Sequence, residues 1–334
     1  MNKEKVKLLI SVLSRANYAR VKSVISAAKE STNIETILVL GCSAICKDYG
    51  DIIEECKNEG YIVNEQISSL MHEKSRENMV KTTALTMLDY SQIIKKHNPD
   101  FTLTVADRYE TMSLAIASSY MNIPLIHLQG GEPTGCIDDK IRNCIAQLAD
   151  YHFVCNIDAY KRTIRWGEDE SRVFNVGCPS LDHLKIYDDR NEINKEIEKI
   201  NILKKTNIDI SRNYIVFLYH PDTRKQSQEF SLILESIKNV CTQEDIDLIV
   251  FEPNPDAGSE EINDKLYSYN QQLNNEIKIH FISHLESNLY TALIQGCEVL
   301  VGNSSSGIRE SSYLGIKSLN IGERQVHRMR GNNV

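Results

Sequence analysis

No stretch of the 334-residue chain comes near the roughly 20 consecutive apolar residues of a membrane-spanning helix, so no membrane partner is expected. Basic residues are outnumbered, 38 Lys and Arg against 46 Asp and Glu. The resulting net charge of -8 withholds the basic face that nucleic acid or an anionic membrane requires. An anionic small ligand stays possible, because it needs only local positive groups. The nine cysteines contain no Cys-x-x-Cys pair, and Cys155 and Cys297 lie inside apolar patterns, so reduced and mostly buried thiols in a cytoplasmic protein are expected. No His/Cys cluster has ligand-like spacing, and neither a metal nor a cofactor is predicted. The first residues, MNKEKVKLLISVLSRANY, start basic and carry a short apolar run. That run ends at Arg15 without a small-residue cleavage site, which reads as a first core strand rather than a secretion signal.

What is present is ordinary for a soluble globular protein, 41% hydrophobic and 25% charged residues in a chain long enough for two domains with separate cores. Strand and helix patterns alternate through the first half, predicting strands from Val6, Thr36, Tyr61, Phe101, Ile123, Tyr151 and Arg172 with helices between them. The longest predicted helix spans Arg76 to His97, with Met79, Val80, Leu85, Leu88 and Ile93 as its apolar positions. GCPSLD, from Gly177 to Asp182, reads as a hinge. The alternation then restarts, with strands from Tyr214, Leu248, Ile277, Val299 and Lys317. The fold class this predicts is α/β, two Rossmann-like doubly wound domains facing a cleft, residues 1–176 and 177–334.

The chemistry concentrates at predicted strand ends, where ligands bind in open α/β sheets. Val105 to Arg142, VADRYETMSLAIASSYMNIPLIHLQGGEPTGCIDDKIR, holds Asp107, His127, Glu132, Asp138 and Asp139, interleaved with Arg108 and Arg142. Asp107 and Asp138 also read as helix N-caps, and Glu132 as a loop carboxylate. In the second half, His220 follows one strand, Asn254 and Asp256 follow the next, and the loop Asn303 to Gly307 joins a strand to a helix. Hydroxyls and free helix N–H groups in that loop suit a phosphate, while Ser304 as a plain helix cap explains the same pattern.

In order and spacing, RANY, ADRYE, HLQGGEPTGCIDDKIR, VGCPSLD, HPDT, PNPDAGS, GNSSSGIRE and IGERQVHR resemble the UDP-N-acetylglucosamine 2-epimerase family, and its hydrolysing branch most. The likeness runs from Ser14 to Val334. It implies the GT-B arrangement of two Rossmann-like domains and conversion of UDP-N-acetylglucosamine to N-acetylmannosamine and UDP through a 2-acetamidoglycal. The same reaction on a UDP- or GDP-2,4-diacetamido-trideoxy sugar and the non-hydrolysing epimerisation are alternatives, and a GT-B glycosyltransferase is the alternative of another class. A nucleotide-sugar substrate and a homodimer or homotetramer are the implied partners.

By that resemblance Asp107 and Asp138 match acid/base carboxylates, with Arg108 and Arg142 as charge partners and substrate ligands. Arg15 and His220 match groups at the diphosphate, Ser304 and Ser305 the phosphate loop, Glu310 the ribose carboxylate, Arg324 the terminal arginine and Asn254 a loop contact. Two positions depart from the pattern. Asn17 stands where an Asp is usual, and Gln129 where many members carry a catalytic Glu. An amide does not exchange a proton at neutral pH, so either Glu132 takes that role or Gln129 only orients the sugar. Family members usually continue beyond the block that ends this chain, with helices that return to the first domain.

Overall fold

The computed structural model describes residues 5–47, 51–71, 75–135, 137–221, 230–253, 258–272 and 278–334. The chain divides into two compact units, residues 1–133 with 137–182, and residues 134–136 with 183–334. The predicted α/β class with two Rossmann-like parallel sheets is the one observed.

In the first unit the strands are β1 (Val6–Val12), β2 (Ile34–Gly41), β3 (Val63–Ile67), β4 (Phe101–Val105), β5 (Leu125–Leu128), β6 (Tyr151–Val154) and β7 (Val173–Asn175). They form one parallel sheet in the order β3-β2-β1-β4-β5-β6-β7. Helices α1 (Arg15–Glu30), α2 (Ile52–Asn58), α3 (Arg76–His97), α4 (Met112–Tyr120), α5 (Asp138–Leu148) and α6 (Ile157–Arg165) connect them. Leu8 to Val12 and Ile37 to Leu40 are buried without a break, as strands covered on both faces must be. Ser14 caps α1 by accepting from the Asn17 amide at 3.1 Å, which ends β1 and starts the helix within two residues.

In the second unit β8 (Tyr214–Leu218), β9 (Asp247–Phe251), β10 (Ile279–Ile282), β11 (Val299–Gly302) and β12 (Ser318–Asn320) pair in parallel in the order β10-β9-β8-β11-β12. Around them lie α7 (Arg190–Lys204), α8 (Phe230–Glu244), α9 (Ser259–Gln272), α10 (Ser287–Gly296) and α11 (Glu310–Leu314). Both sheets therefore run outward from a first strand and reverse direction beside it, between β1 and β4 and between β8 and β11. Such a switch point opens a crevice at the carboxyl ends of the strands.

Helix α3 corrects the expected burial. Val80 is 69% exposed and Leu88 60%, while the face against the unit is Asn78, Thr82, Thr86, Tyr90, Ile93 and Ile94. Among the described residues no helix is long and apolar enough to cross a membrane.

Candidate active site

In the first unit the switch point carries Asp107. Strand β4 ends at Val105, and Ala106 takes a left-handed backbone (φ 63°) that turns the chain sharply before Asp107. The Ala106 amide donates to Leu128 O at 2.8 Å, tying the turn to the end of β5. Asp107 is buried between two guanidinium groups. Arg142 Nη2 from α5 donates to Oδ2, and Arg20 Nη1 from α1 reaches Oδ1 at 3.4 Å. The N-cap reading of Asp107 does not hold, because the helical turn that follows starts at Tyr109 with Arg108 as its cap, and Arg108 Nε donates to buried Glu110 at 2.5 Å.

Arg142 is the centre of this cluster. It is 1% exposed, and its Nη1 donates to Glu132 O and, at 2.8 Å, to Asp139 Oδ1. Burial opposes its charge, yet Asp107, with Asp139 and Glu132, raises its pKa above the ordinary arginine value. Asp138 is the first residue of α5, half-buried, and Ile137 occupies the cap position expected for it. Glu132 is buried, and Asn156 Nδ2 donates to its Oε1 at 3.1 Å. Asn156 Oδ1 accepts the Ala159 amide at 2.8 Å, so one side chain caps α6 and orients Glu132.

Gln129 is also buried, with φ 65°, its amide on Phe153 O at 2.8 Å and its Nε2 donating to Cys178 Sγ at 3.5 Å. Gly131 after it has φ 77°, and a Cβ there would meet Thr163 and Ala159, so glycine is required. His127 lies fully buried beneath this loop with Nε2 2.9 Å from Ala106 O and a buried Nδ1 that has no partner. Burial pushes its imidazole down to about 4, against a smaller upward pull from the Ala106 carbonyl. Asn17, the departure in the RANY block, is fully buried and donates to Val105 O at 3.4 Å, a bond an aspartate cannot make. Arg15 opens α1 at the carboxyl end of β1, on the same edge of the sheet as Asp107.

The second unit brings together another set. His220 follows β8, and its backbone is clamped by Asn303, which accepts from His220 N at 2.7 Å and donates to His220 O at 2.8 Å. The Asn303 carbonyl takes Arg324 Nη1 at 3.3 Å and Gln325 Nε2 at 3.1 Å. Ser304 accepts from the Ser306 amide at 3.3 Å, capping the 3-10 turn Ser305–Gly307, and Ser306 Oγ lies 2.5 Å from Tyr290 OH. Glu310 starts α11 with a buried Oε2 that lacks a partner. Asn254 lies outside the described residues. Sequence reasoning missed Arg20, Asn156, Asn303 and Gln325. Signals were present for Asn303, in its place between β11 and the serines, and for Asn156, two residues past β6 at the start of α6; Arg20, inside α1, and Gln325 lie outside the strand-end positions that guided the reading.

Residues 26–334 match the model of a family described as UDP-N-acetylglucosamine 2-epimerase. The chain belongs to that family. Among curated members it is 27% identical, over 98% of this chain and 84% of the relative, to the UDP-N,N'-diacetylbacillosamine 2-epimerase (hydrolyzing) of Legionella pneumophila. It is 29% identical, over 99% and 84%, to the GDP/UDP-N,N'-diacetylbacillosamine 2-epimerase (hydrolyzing) of Campylobacter jejuni. The crystal structure of the Neisseria meningitidis family member bound to UDP-GlcNAc matches with a TM-score of 0.77 at 14% identity, over 96% of this chain and 84% of that one. For the Methanocaldococcus jannaschii family member in complex with UDP-GlcNAc and UDP the values are 0.76, 16%, 96% and 85%. At these identities the structural likeness speaks to the fold.

Proposed function

We propose that this family member is a hydrolysing 2-epimerase that converts UDP-N-acetylglucosamine to N-acetylmannosamine and UDP. The observation that carries the reading is buried Arg142 bound to Asp107, Asp139 and the Glu132 backbone carbonyl, with Asp138 opening the same helix one turn before it, at the carboxyl ends of β4 and β5. Exchange of the C2 proton calls for acid/base groups, whereas glycosyl transfer does not.

In the proposed reaction a carboxylate takes the proton from C2 as the bond between C1 and the UDP oxygen breaks. The C2–H electron pair becomes the C1=C2 double bond of the 2-acetamidoglycal, and UDP leaves with the C1–O pair. Water then adds through oxygen at C1 while a proton returns to C2 from the opposite face. Two carboxylates on separate elements suit that change of face. Asp107, after β4, and Asp138, opening α5, are assigned the two transfers. Glu132 is held by Asn156 as the third carboxylate, and Gln129 orients the sugar. Arg15, Arg108 and Arg142 are assigned to the anionic substrate. His220, Ser304, Ser305, Glu310 and Arg324 are assigned to the nucleotide, His220 aiding its departure.

Incubating the protein with UDP-N-acetylglucosamine in deuterated water tests the reading. Free N-acetylmannosamine with deuterium at C2 is the expected product by NMR. Re-formed nucleotide sugar without free sugar moves the reaction to the non-hydrolysing type, and acceptor glycosylation without deuterium overturns the reading. Asp107→Asn and Asp138→Asn each lose about 10²–10⁴-fold in kcat with UDP affinity little changed. If Glu132→Gln is as damaging and Asp138→Asn is not, the second transfer belongs to Glu132. A second substrate reading, a 2,4-diacetamido-trideoxy sugar nucleotide, is favoured by the activities named for the Legionella and Campylobacter relatives. The same assay run with both substrates decides between them by kcat/KM.

A further inference from the structure

On the 2-epimerase reading of the site, on which this rests, we propose that Arg162 of α6 is the positioning residue that aims the Glu132 carboxylate, acting through the backbone of the Gly131–Glu132 turn. Two successive carbonyls of that turn are each taken by a guanidinium from a different helix. Half-buried Arg162 donates from Nη1 to Gly131 O at 2.6 Å, and Arg142 of α5 donates from Nη1 to Glu132 O. A charged donor makes such a bond about twice as strong as a neutral one.

These two bonds act on the two torsions that decide where the Glu132 side chain starts. A peptide unit is planar, so the bond to Gly131 O fixes the plane before the Glu132 Cα and the bond to Glu132 O fixes the plane after it. Its Cβ direction follows from the two planes together. Pro133 narrows the choice further, because a residue before proline is driven out of the helical region.

The far end of the side chain is held from the same helix. Asn156, the cap of α6, is followed at spacings of three and four by Ala159, Arg162 and Thr163, which makes one face. Asn156 Nδ2 meets Glu132 Oε1 at 3.1 Å. A Cβ on Gly131 would come within 2.8 Å of Ala159 O and 2.7 Å of Thr163 Oγ1, so the turn lies directly on this face. Thr163 Oγ1 donates to Ala159 O at 2.9 Å, which satisfies the seat without the turn. The two guanidinium groups differ in what else they hold. Arg142 is also bound to Asp107 and Asp139, so its loss disturbs the whole cluster. Among the described residues the Arg162 guanidinium has Gly131 O as its one hydrogen-bond partner, so its loss reaches the chemistry through the turn alone.

Arg162→Met keeps the apolar stem and removes the donors. With UDP-N-acetylglucosamine in deuterated water its kcat is expected to fall about 10–100-fold, with KM and UDP affinity within about twofold of wild type. Added to Glu132→Gln, the same substitution is expected to cost less than about twofold more, because a residue that acts through Glu132 then has nothing left to aim. Hydrogen exchange in residues 127–133, followed without substrate, is expected to quicken about tenfold in Arg162→Met while β1 and β4 exchange as in wild type. An unchanged kcat, a full additive loss in the double variant, or unchanged exchange in the turn overturns the proposal. A wild-type chain that releases no deuterated sugar overturns the functional reading instead, and the exchange rate of the turn then decides the role of Arg162 by itself.

Discussion

His127 shows how a residue that looks catalytic in a sequence can be decided by its surroundings. It is fully buried, its Nε2 is used by the Ala106 carbonyl, and its Nδ1 faces no acceptor. Protonation would add a buried N–H without a partner, which is why the imidazole is held neutral down to about 4. The folded value lies below the ordinary 6.5, so the unfolded chain binds the extra proton first. The stability contributed is therefore present above pH 6.5 and lost as pH falls toward 4, on the order of 3 kcal/mol in all. Urea unfolding followed across that range is expected to show the loss. In His127→Gln the slope over that window is expected to flatten by about one proton; an unchanged slope assigns the pH dependence to other groups.

At the scale of elements, the second site depends on where β8 and β11 end. Gly302 closes β11 with φ 145°, and a Cβ there would overlap the Leu218 backbone, so the two strand ends approach only because glycine stands there. The next residue exploits that approach. Asn303 supplies both a donor and an acceptor to the His220 backbone, and it is 2% exposed. Asn303→Asp keeps the acceptor but sets a carboxylate oxygen against the His220 carbonyl. Denaturant unfolding is expected to lose about 1–3 kcal/mol. UDP affinity is expected to fall with it, because the same residue's carbonyl anchors Arg324 and Gln325. A change below about 0.5 kcal/mol would show that the clamp contributes little.

At the scale of the whole molecule, two units with separate cores divide the assigned work. One core packs around β1 and β2 with α1, the other around β8 and β9 with α7 and α10. The acid/base candidates belong to the first unit and, apart from Arg15, the nucleotide candidates to the second. UDP alone is therefore expected to protect amides in residues 299–325 from hydrogen exchange. Around Asp107 and Glu132 it is expected to leave exchange nearly unchanged. At about 100 times Kd, UDP stabilises the state it binds by about 2.7 kcal/mol. Protection confined to the first unit would reverse the division of labour.

Much of this was determined by the sequence itself. The alternation of short apolar runs with helical patterns was enough for the twelve parallel strands of the described residues, and β1, β2, β8 and β9 carry the near-continuous apolar signature of strands covered on both faces. The bounds of α3 were legible too, the helix ending at His97 with Asn98 as its cap before Pro99. What α3 buries was not legible. Its apolar positions read as core, yet hydrogen bonds to Ser11, Cys42, Ser69 and Met71, residues distant in sequence, hold its threonines and tyrosine inward. The same limit applies to the candidate site. The sequence marked Asp107, Glu132, Asp138 and Arg142 as chemically able, whereas the pairing of Arg142 with Asp107 and Asp139 was decided by the tertiary structure. So were the hold of Asn156 on Glu132 and the burial of His127. Composition states which groups are available; desolvation and partner geometry, which exist only once distant segments meet, decide what each group can do.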